Sequence, residues 1–265
     1  MVRRYLRHRV GMQSAALAFY LLFTAFPFLI FFSALLGLLE LDVAAILAAL
    51  NRILPQDIVS LVGAYLTYVG QDPSPRLMAF ALVFSVYFPM RSANVLMRAV
   101  RVAYRLGPPR RPFAHVIKTL VYTVLLIIAM VLTLILLTVS DRVLAYGVRH
   151  FALPPLLAEL WAALRFPVIG AVGFFALVFL YALSQDSRRP WRELWPGTLA
   201  ALGAWLTLSW LYAWYVENVA HYSALYGSIG VVIVLLVWLN MTAMVFILGA
   251  EMNGTLIALR KEKTA

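Results

Sequence analysis

The chain has 265 residues, of which 64% are hydrophobic and 12% charged, with a formal net charge of +11 and a mean hydropathy of +0.89. An ordinary soluble domain carries about 25% charged residues, so this composition excludes a soluble enzyme and indicates a single membrane domain over residues 1–265. The absence of cysteine excludes disulfides, thiolate metal sites and a cysteine nucleophile.

At about 1.5 Å rise per residue, roughly 20 residues cross the ~30 Å hydrocarbon core of a bilayer. The first apolar run, about 13–38, is longer than the ~7–15 residues of a signal sequence's apolar region, and it is read as an uncleaved first span. Pro27 near its middle predicts a kink, and Tyr20, Thr24 and Pro27 share one face. Between Glu40 and Asp72 the polar residues Asn51, Arg52, Gln56 and Asp57 interrupt apolar positions at helical spacing. That pattern predicts two short amphipathic helices on the outer surface.

The second span, about 76–97, contains Pro89, Arg91 and Asn94 and continues as a basic helix through Arg98, Arg101 and Arg105. The proline-rich run from Gly107 to Pro112 ends it. The third span, about 119–140, carries no charge, and Asp141 to Trp161 reads as a polar outer loop. The fourth span, about 162–183, is followed by a basic turn with Arg188, Arg189 and Arg192. The fifth, about 194–216, repeats small residues four apart, Gly197 with Ala201 and Ala200 with Ala204, a spacing that lets helices approach closely within the chain or between protomers. The sixth, about 227–250, has Asn240 at its centre and closes on Gly249, Glu251 and Asn253.

The fold class is therefore all-α, a bundle of six transmembrane helices. With the N-terminus inside, all but five of the 22 Lys and Arg residues fall in inner segments; only Arg52, Arg76, Arg142, Arg149 and Arg165 lie outside. The positive-inside rule then puts both termini in the cytoplasm. The net charge is a topology signal and calls for no nucleic acid. It also makes anionic lipid head groups the natural partners of the inner face, at about 1 kcal/mol per basic residue near the surface. The sequence leaves open whether the chain forms an oligomer.

No HExxH, P-loop, paired-carboxylate or GxGxxG pattern is present, and the histidines, His8, His115, His150 and His221, are spread over both interfaces. No metal site, cofactor or enzymatic centre is expected. The polar residues within or at the ends of spans remain as candidates for a pathway or an ion pair: Arg91, Asn94, Asn240, Glu251 and Asn253. Intramembrane charges seek partners, and the expected pair is Arg91 with Glu251 near the inner face.

Three clusters carry a family resemblance: Ala18-Phe19-Tyr20 followed by Phe26-Pro27; Leu194-Trp195-Pro196-Gly197; and Tyr226-Gly227-Ser228 leading to Gly249-Ala250-Glu251-Met252-Asn253. Together they resemble the YihY/BrkB family of bacterial inner-membrane proteins. The resemblance implies a six-span protein of the bacterial inner membrane, in a family whose former label as a ribonuclease is regarded as a misassignment. Some of its members are linked to serum resistance and to lipid or envelope phenotypes. Family function is expected to concentrate at Pro27, Pro196, Gly197, Tyr226, Gly227, Ser228 and Gly249, beside Glu251 and Asn253. The leading expectation is a transport protein for a lipid, a lipid-linked envelope molecule or another amphiphile. The alternative is a non-transporting scaffold or envelope-integrity factor associated with virulence.

Overall fold

The computed structural model describes residues 2–38, 44, 47–48, 51, 56, 59–60, 62–64, 75–109, 111–151, 155–186, 190–218 and 228–264. These form a short helix α1 (Val2–Arg7) and six long ones: α2 (Val10–Leu38), α3 (Pro75–Ala103), α4 (Pro112–Phe151), α5 (Pro155–Leu183), α6 (Trp195–Asn218) and α7 (Ser228–Thr264). A single 3-10 turn, Trp191–Glu193, precedes α6. No strand occurs among the described residues.

Four helices are long and apolar enough to cross a membrane, over Ala79–Ala103 in α3, Pro112–Thr133 in α4, Trp195–Val216 in α6 and Ile229–Arg260 in α7. Helices α2 and α5 each have 29 residues, and the described apolar stretches within them are Val10–Ala25 and Pro167–Leu183. Large apolar side chains face outward all round, among them Ile128 on α4, Phe175 on α5 and Leu206, Trp210 and Trp214 on α6. A surface of that kind is stable against lipid tails and not against water.

The six long helices form a ring. Each packs on its neighbour in sequence, α2 on α3, α3 on α4, and so on to α7, which closes back onto α2 and also touches α3. Elements consecutive in sequence are usually adjacent in space, and here this holds even for α2 and α3, which are separated by residues 39–74. The core lies toward the basic end, where Met97, Val100, Ala103, Leu180, Tyr181, Ile247 and Ala250 are fully buried.

Several boundaries differ from the sequence reading. The expected outer loop over 141–161 is helical up to Phe151 and again from Pro155. The apolar spanning stretch of α4 is Pro112–Thr133, but the charges Asp141, Arg142 and Arg149 do not break its backbone, and no proline follows Pro112 within the helix. At about 1.5 Å per residue its 40 residues extend some 60 Å, twice the hydrocarbon core. Helix α7 likewise runs on through its basic tail to Thr264. Near the N-terminus the span starts at Val10, because Arg9 adopts φ 49° and separates α1 from α2. The two amphipathic helices expected over 40–72 fall mainly outside the described residues, as do Tyr226 and Gly227.

Helix α3 ends in a Schellman turn with an unusual residue at its left-handed position. Leu106 N donates to Arg101 O at 2.8 Å and Arg105 N to Val102 O at 3.0 Å, while Arg105 itself has φ 55°. Glycine is the usual occupant of that position because a Cβ strains it. Gly107, where the sequence reading breaks the helix, lies two residues further on.

Candidate functional site

The residues of the third sequence cluster meet those of the second at the basic end of the bundle. Asn253 is fully buried, and its side-chain amide bridges the start of α6: Nδ2 donates to Leu194 O at 2.6 Å, and Oδ1 accepts from Gly197 N at 2.7 Å. The first N–H groups of a helix have no partner within it, so an asparagine on α7 caps α6 from outside. Pro196 sits in the first turn of α6, where a missing N–H costs nothing. The two helices touch through backbone. A Cβ on Gly197 would collide with Gly249 O and the Asn253 side chain; one on Gly249 would lie 2.7 Å from both Gly197 O and Ala201 Cβ and 2.8 Å from the Tyr181 hydroxyl. The Gly197/Ala201 pair therefore serves a contact within the chain, whereas Ala200 and Ala204 are exposed. Tyr181 Oη fixes α5 to α7 by donating to Phe246 O at 2.6 Å.

Glu251, one percent exposed, is gripped by the N-terminal segment. Arg4 Nη1 lies 3.2 Å from Glu251 Oε2 and donates as well to Glu251 O at 3.0 Å and Thr255 Oγ1 at 2.6 Å. His8 Nδ1 contacts Glu251 Oε1, and Gln13 Nε2 holds His8 in place by donating to its carbonyl at 2.7 Å. The expected Arg91–Glu251 pair is replaced by this cluster, and helix register explains why. Gly254 abuts Ala103, so Glu251 stands level with the residues near 100 on α3, and Arg91, nine residues earlier, lies about 14 Å higher. Arg91 instead faces outward, its guanidinium 5.9 Å from the Tyr20 ring centroid and 5.8 Å from that of Tyr87. Cation–π contacts of this kind offset part of the desolvation of the charge.

A second polar knot joins α3 to α5. Arg101, four percent exposed, contacts both carboxylate oxygens of Asp186 at 3.0 and 2.9 Å and donates to Gly107 O and Ser184 O. Lys118 Nζ on α4 donates to Gln185 O at 3.0 Å. Asn94 Oδ1 lies 3.4 Å from His115 Nε2. Asn240 is elsewhere, at mid-span on α7; its Oδ1 is buried and has no hydrogen-bond partner among the described residues. Pro27 is buried in α2, and Ser228 begins α7. Among the described residues no three His, Asp or Glu side chains gather as a metal site would require.

Above these knots the ring surrounds a partly open cavity of about 440 Å³ to which all six long helices contribute. Its wall is apolar, with Leu17, Leu21, Leu96, Leu126, Leu239 and Phe246 prominent. Its polar lining residues are Thr24, Ser92, Tyr122, Thr123, Trp205 and Thr242. The hydroxyls of Thr24 and Thr123 bond back to carbonyls one turn earlier, and Trp205 Nε1 donates to Thr242 Oγ1 at 3.1 Å. The chamber is suited to hydrocarbon and offers a water-soluble ligand little to bind.

Arg4, His8, Arg101 and Asp186 escaped the sequence reading. One signal was available: the segments assigned to the inner face contain few acidic residues, Asp186, Glu193, Glu251 and Glu262, against a large excess of basic ones. Any buried carboxylate there must take an Arg or His, but the sequence does not say which.

An apolar helical ring closed at one end by buried ion pairs defines a polytopic helical membrane protein. The model of the family described as virulence factor BrkB matches residues 1–265, and the chain belongs to that family. It is 30% identical over 254 residues to a ribonuclease-like protein, YfkH, of Bacillus subtilis, covering 96% of this chain and 92% of that one. It is 28% identical to a UPF0761 membrane protein of Alkalilimnicola ehrlichii and 27% identical to another of Stenotrophomonas maltophilia, over 89% and 68% of its own length. It spans only 49% and 40% of those two longer relatives. No solved structure matches the chain.

Proposed function

We propose that the chain is a six-span protein of the bacterial inner membrane, with both termini cytoplasmic, that passes a lipid, a lipid-linked envelope molecule or another amphiphile through its central cavity. The observation that carries this reading is the chamber itself: about 440 Å³ of apolar space bounded by every long helix, in a protein whose outer surface is built for lipid. Interiors are normally packed to crystal density, so a void of this size within a ring closed by buried ion pairs suits occupancy by hydrocarbon. The sequence holds no nucleotide-binding motif, and movement would be passive or driven by a gradient.

A bound amphiphile is the direct test. Gly173 lines the chamber, and a Cβ there would meet only Leu202 Cδ2, at 3.9 Å, so Gly173→Trp fills the space at modest cost. Native mass spectrometry of gently extracted protein should find a retained lipid on the wild type and several-fold less on the variant. Equal retention would remove the chamber from the account. The six-span count is tested separately. The chain has no cysteine of its own, so single cysteines at the exposed positions 6 and 260 should both react with a membrane-impermeant thiol reagent only from the cytoplasmic side.

The scaffold reading is favoured by one observation. Helix α6 turns Leu199, Gly203, Leu206 and Trp210 outward, and nothing lies within 4 Å of a Cβ placed on Gly203. A partner helix could pack closely there. That reading predicts that bulky substitutions at Gly203 impair function while Gly173→Trp leaves it intact.

A further inference from the structure

A second apolar space lies outside the ring, directly beside the chamber. A groove of about 440 Å³ runs along the seam between α4 and α5, bounded by Leu125 and Ala129 on one side and by Val168, Val172 and Phe175 on the other. Leu125, Val168 and Phe175 are exposed, and the α4 side lies within the spanning segment Pro112–Thr133, so lipid tails are what this surface meets. Three residues, Tyr122, Leu126 and Ala176, line both the groove and the chamber. They form a partition one side chain thick.

Basic residues lie next to the groove's end. On α4, Lys118, Tyr122, Leu125 and Ala129 follow at steps of four, three and four and share one stripe. Lys118 gives one N–H to Gln185 O, and an ammonium has three donors. At the same end the 60% exposed Trp191 lines the groove mouth, with the exposed Arg192 beside it. Tryptophan at a membrane interface and basic residues next to it fit the head-group level. On α5 the groove lining runs from Val168 to Phe179, eleven residues or about 16 Å along the helix, close to half of the ~30 Å hydrocarbon core. The groove is one leaflet deep.

We propose that the α4–α5 seam is a lateral entrance for an anionic phospholipid of the leaflet at the basic end. The head group sits at Lys118 and Arg192, one acyl chain lies in the groove, and the chain enters the chamber past Tyr122, Leu126 and Ala176. This rests on the amphiphile reading of the chamber and adds the class of substrate and its route. A neighbouring copy of the protein laid on the seam is the competing occupant, and it would leave Lys118 and Arg192 facing like charge.

The test reconstitutes the full chain into phosphatidylcholine vesicles containing a trace of phosphatidylglycerol with a diazirine midway along one acyl chain, irradiates, and maps the labelled peptides. The expected label falls on 122–129 and 168–179, with a minor fraction on the chamber residues Leu239 and Phe246. A phosphatidylcholine probe of the same chain, or Lys118→Gln with the anionic probe, should label the seam about fivefold less, the loss of one interfacial cation–anion attraction. Ala176→Trp should keep the groove label and lose that on Leu239 and Phe246. Label spread evenly over the exposed faces of α4 and α6, equal labelling by the two head groups, or a protein–protein cross-link covering the seam would overturn the proposal. Its fate is separable from that of the chamber. Seam labelling without transbilayer lipid movement upholds the docking site and rejects transport; rapid movement that persists in Ala176→Trp without seam labelling rejects the entrance and leaves transport standing.

Discussion

Asn253 shows how much one side chain can hold in a bundle whose helices cannot rely on the hydrophobic effect to associate. Its replacement by Ala strips the cap from the buried Gly197 N, a group left unsatisfied at a cost of about 1–3 kcal/mol, and removes one donor from Leu194 O, which keeps Thr198 Oγ1. Asn253→Ala and Gly249→Ala should each lower the thermal unfolding temperature in detergent by several degrees, whereas Gly203→Ala should not, since its Cβ would stand in open space. Glu251 supplies a second prediction. Removing one partner of a buried ion pair costs about 3–5 kcal/mol, and Arg4 and Glu251 share that pair. A double-mutant cycle on Arg4→Gln and Glu251→Gln should therefore be non-additive by about 0.5–3 kcal/mol, while the cycle on Arg91→Gln and Glu251→Gln should be additive within about 0.5 kcal/mol. Coupling in the second cycle and not the first would restore the pair expected from sequence.

Among the elements, what could be read from sequence follows the range of the force involved. Apolar length and charge asymmetry are properties of contiguous segments, and they placed a helix over each expected span. They did not place the ends. Helix α4 runs to Phe151 because charge alone does not stop a helix once it has left the hydrocarbon, and α3 stops at Arg105 through a left-handed turn that no glycine announces. The clusters around Gly197 and around Gly249 to Asn253 were visible as motifs, but that they touch was not. Their contact joins residues more than fifty positions apart and depends on the register of α6 against α7. The same holds for Arg101 with Asp186 and for Glu251 with Arg4, where sequence supplied the charges and only packing chose the partners. The Arg105 turn yields an element-scale prediction. An L-residue in the left-handed region costs about 1–2 kcal/mol that glycine does not pay, and the Arg105 side chain is exposed. Arg105→Gly should raise the unfolding temperature by a few degrees; a fall would mean that the guanidinium contributes more than the backbone strain removes.

On the scale of the whole molecule, the ring is closed tightly at the basic end and built around open apolar space above it. The ion pairs of Glu251 and Arg101, the Asn253 cap and the glycine contact all lie at the basic end, while the chamber is flanked by a groove separated from it by three side chains. This division assigns rigidity to the basic end and adaptability to the spanning part, as the proposed passage of a hydrocarbon chain would require. The claim stands or falls on transbilayer movement of a fluorescent phospholipid in liposomes containing the purified protein, measured by the rate at which a membrane-impermeant quencher reaches the inner-leaflet label. The account predicts rapid movement with wild-type protein and a rate near that of empty liposomes with Gly173→Trp of unchanged unfolding temperature. Equal rates for the two proteins, or no movement above empty liposomes with either neutral or anionic lipid, would contradict it.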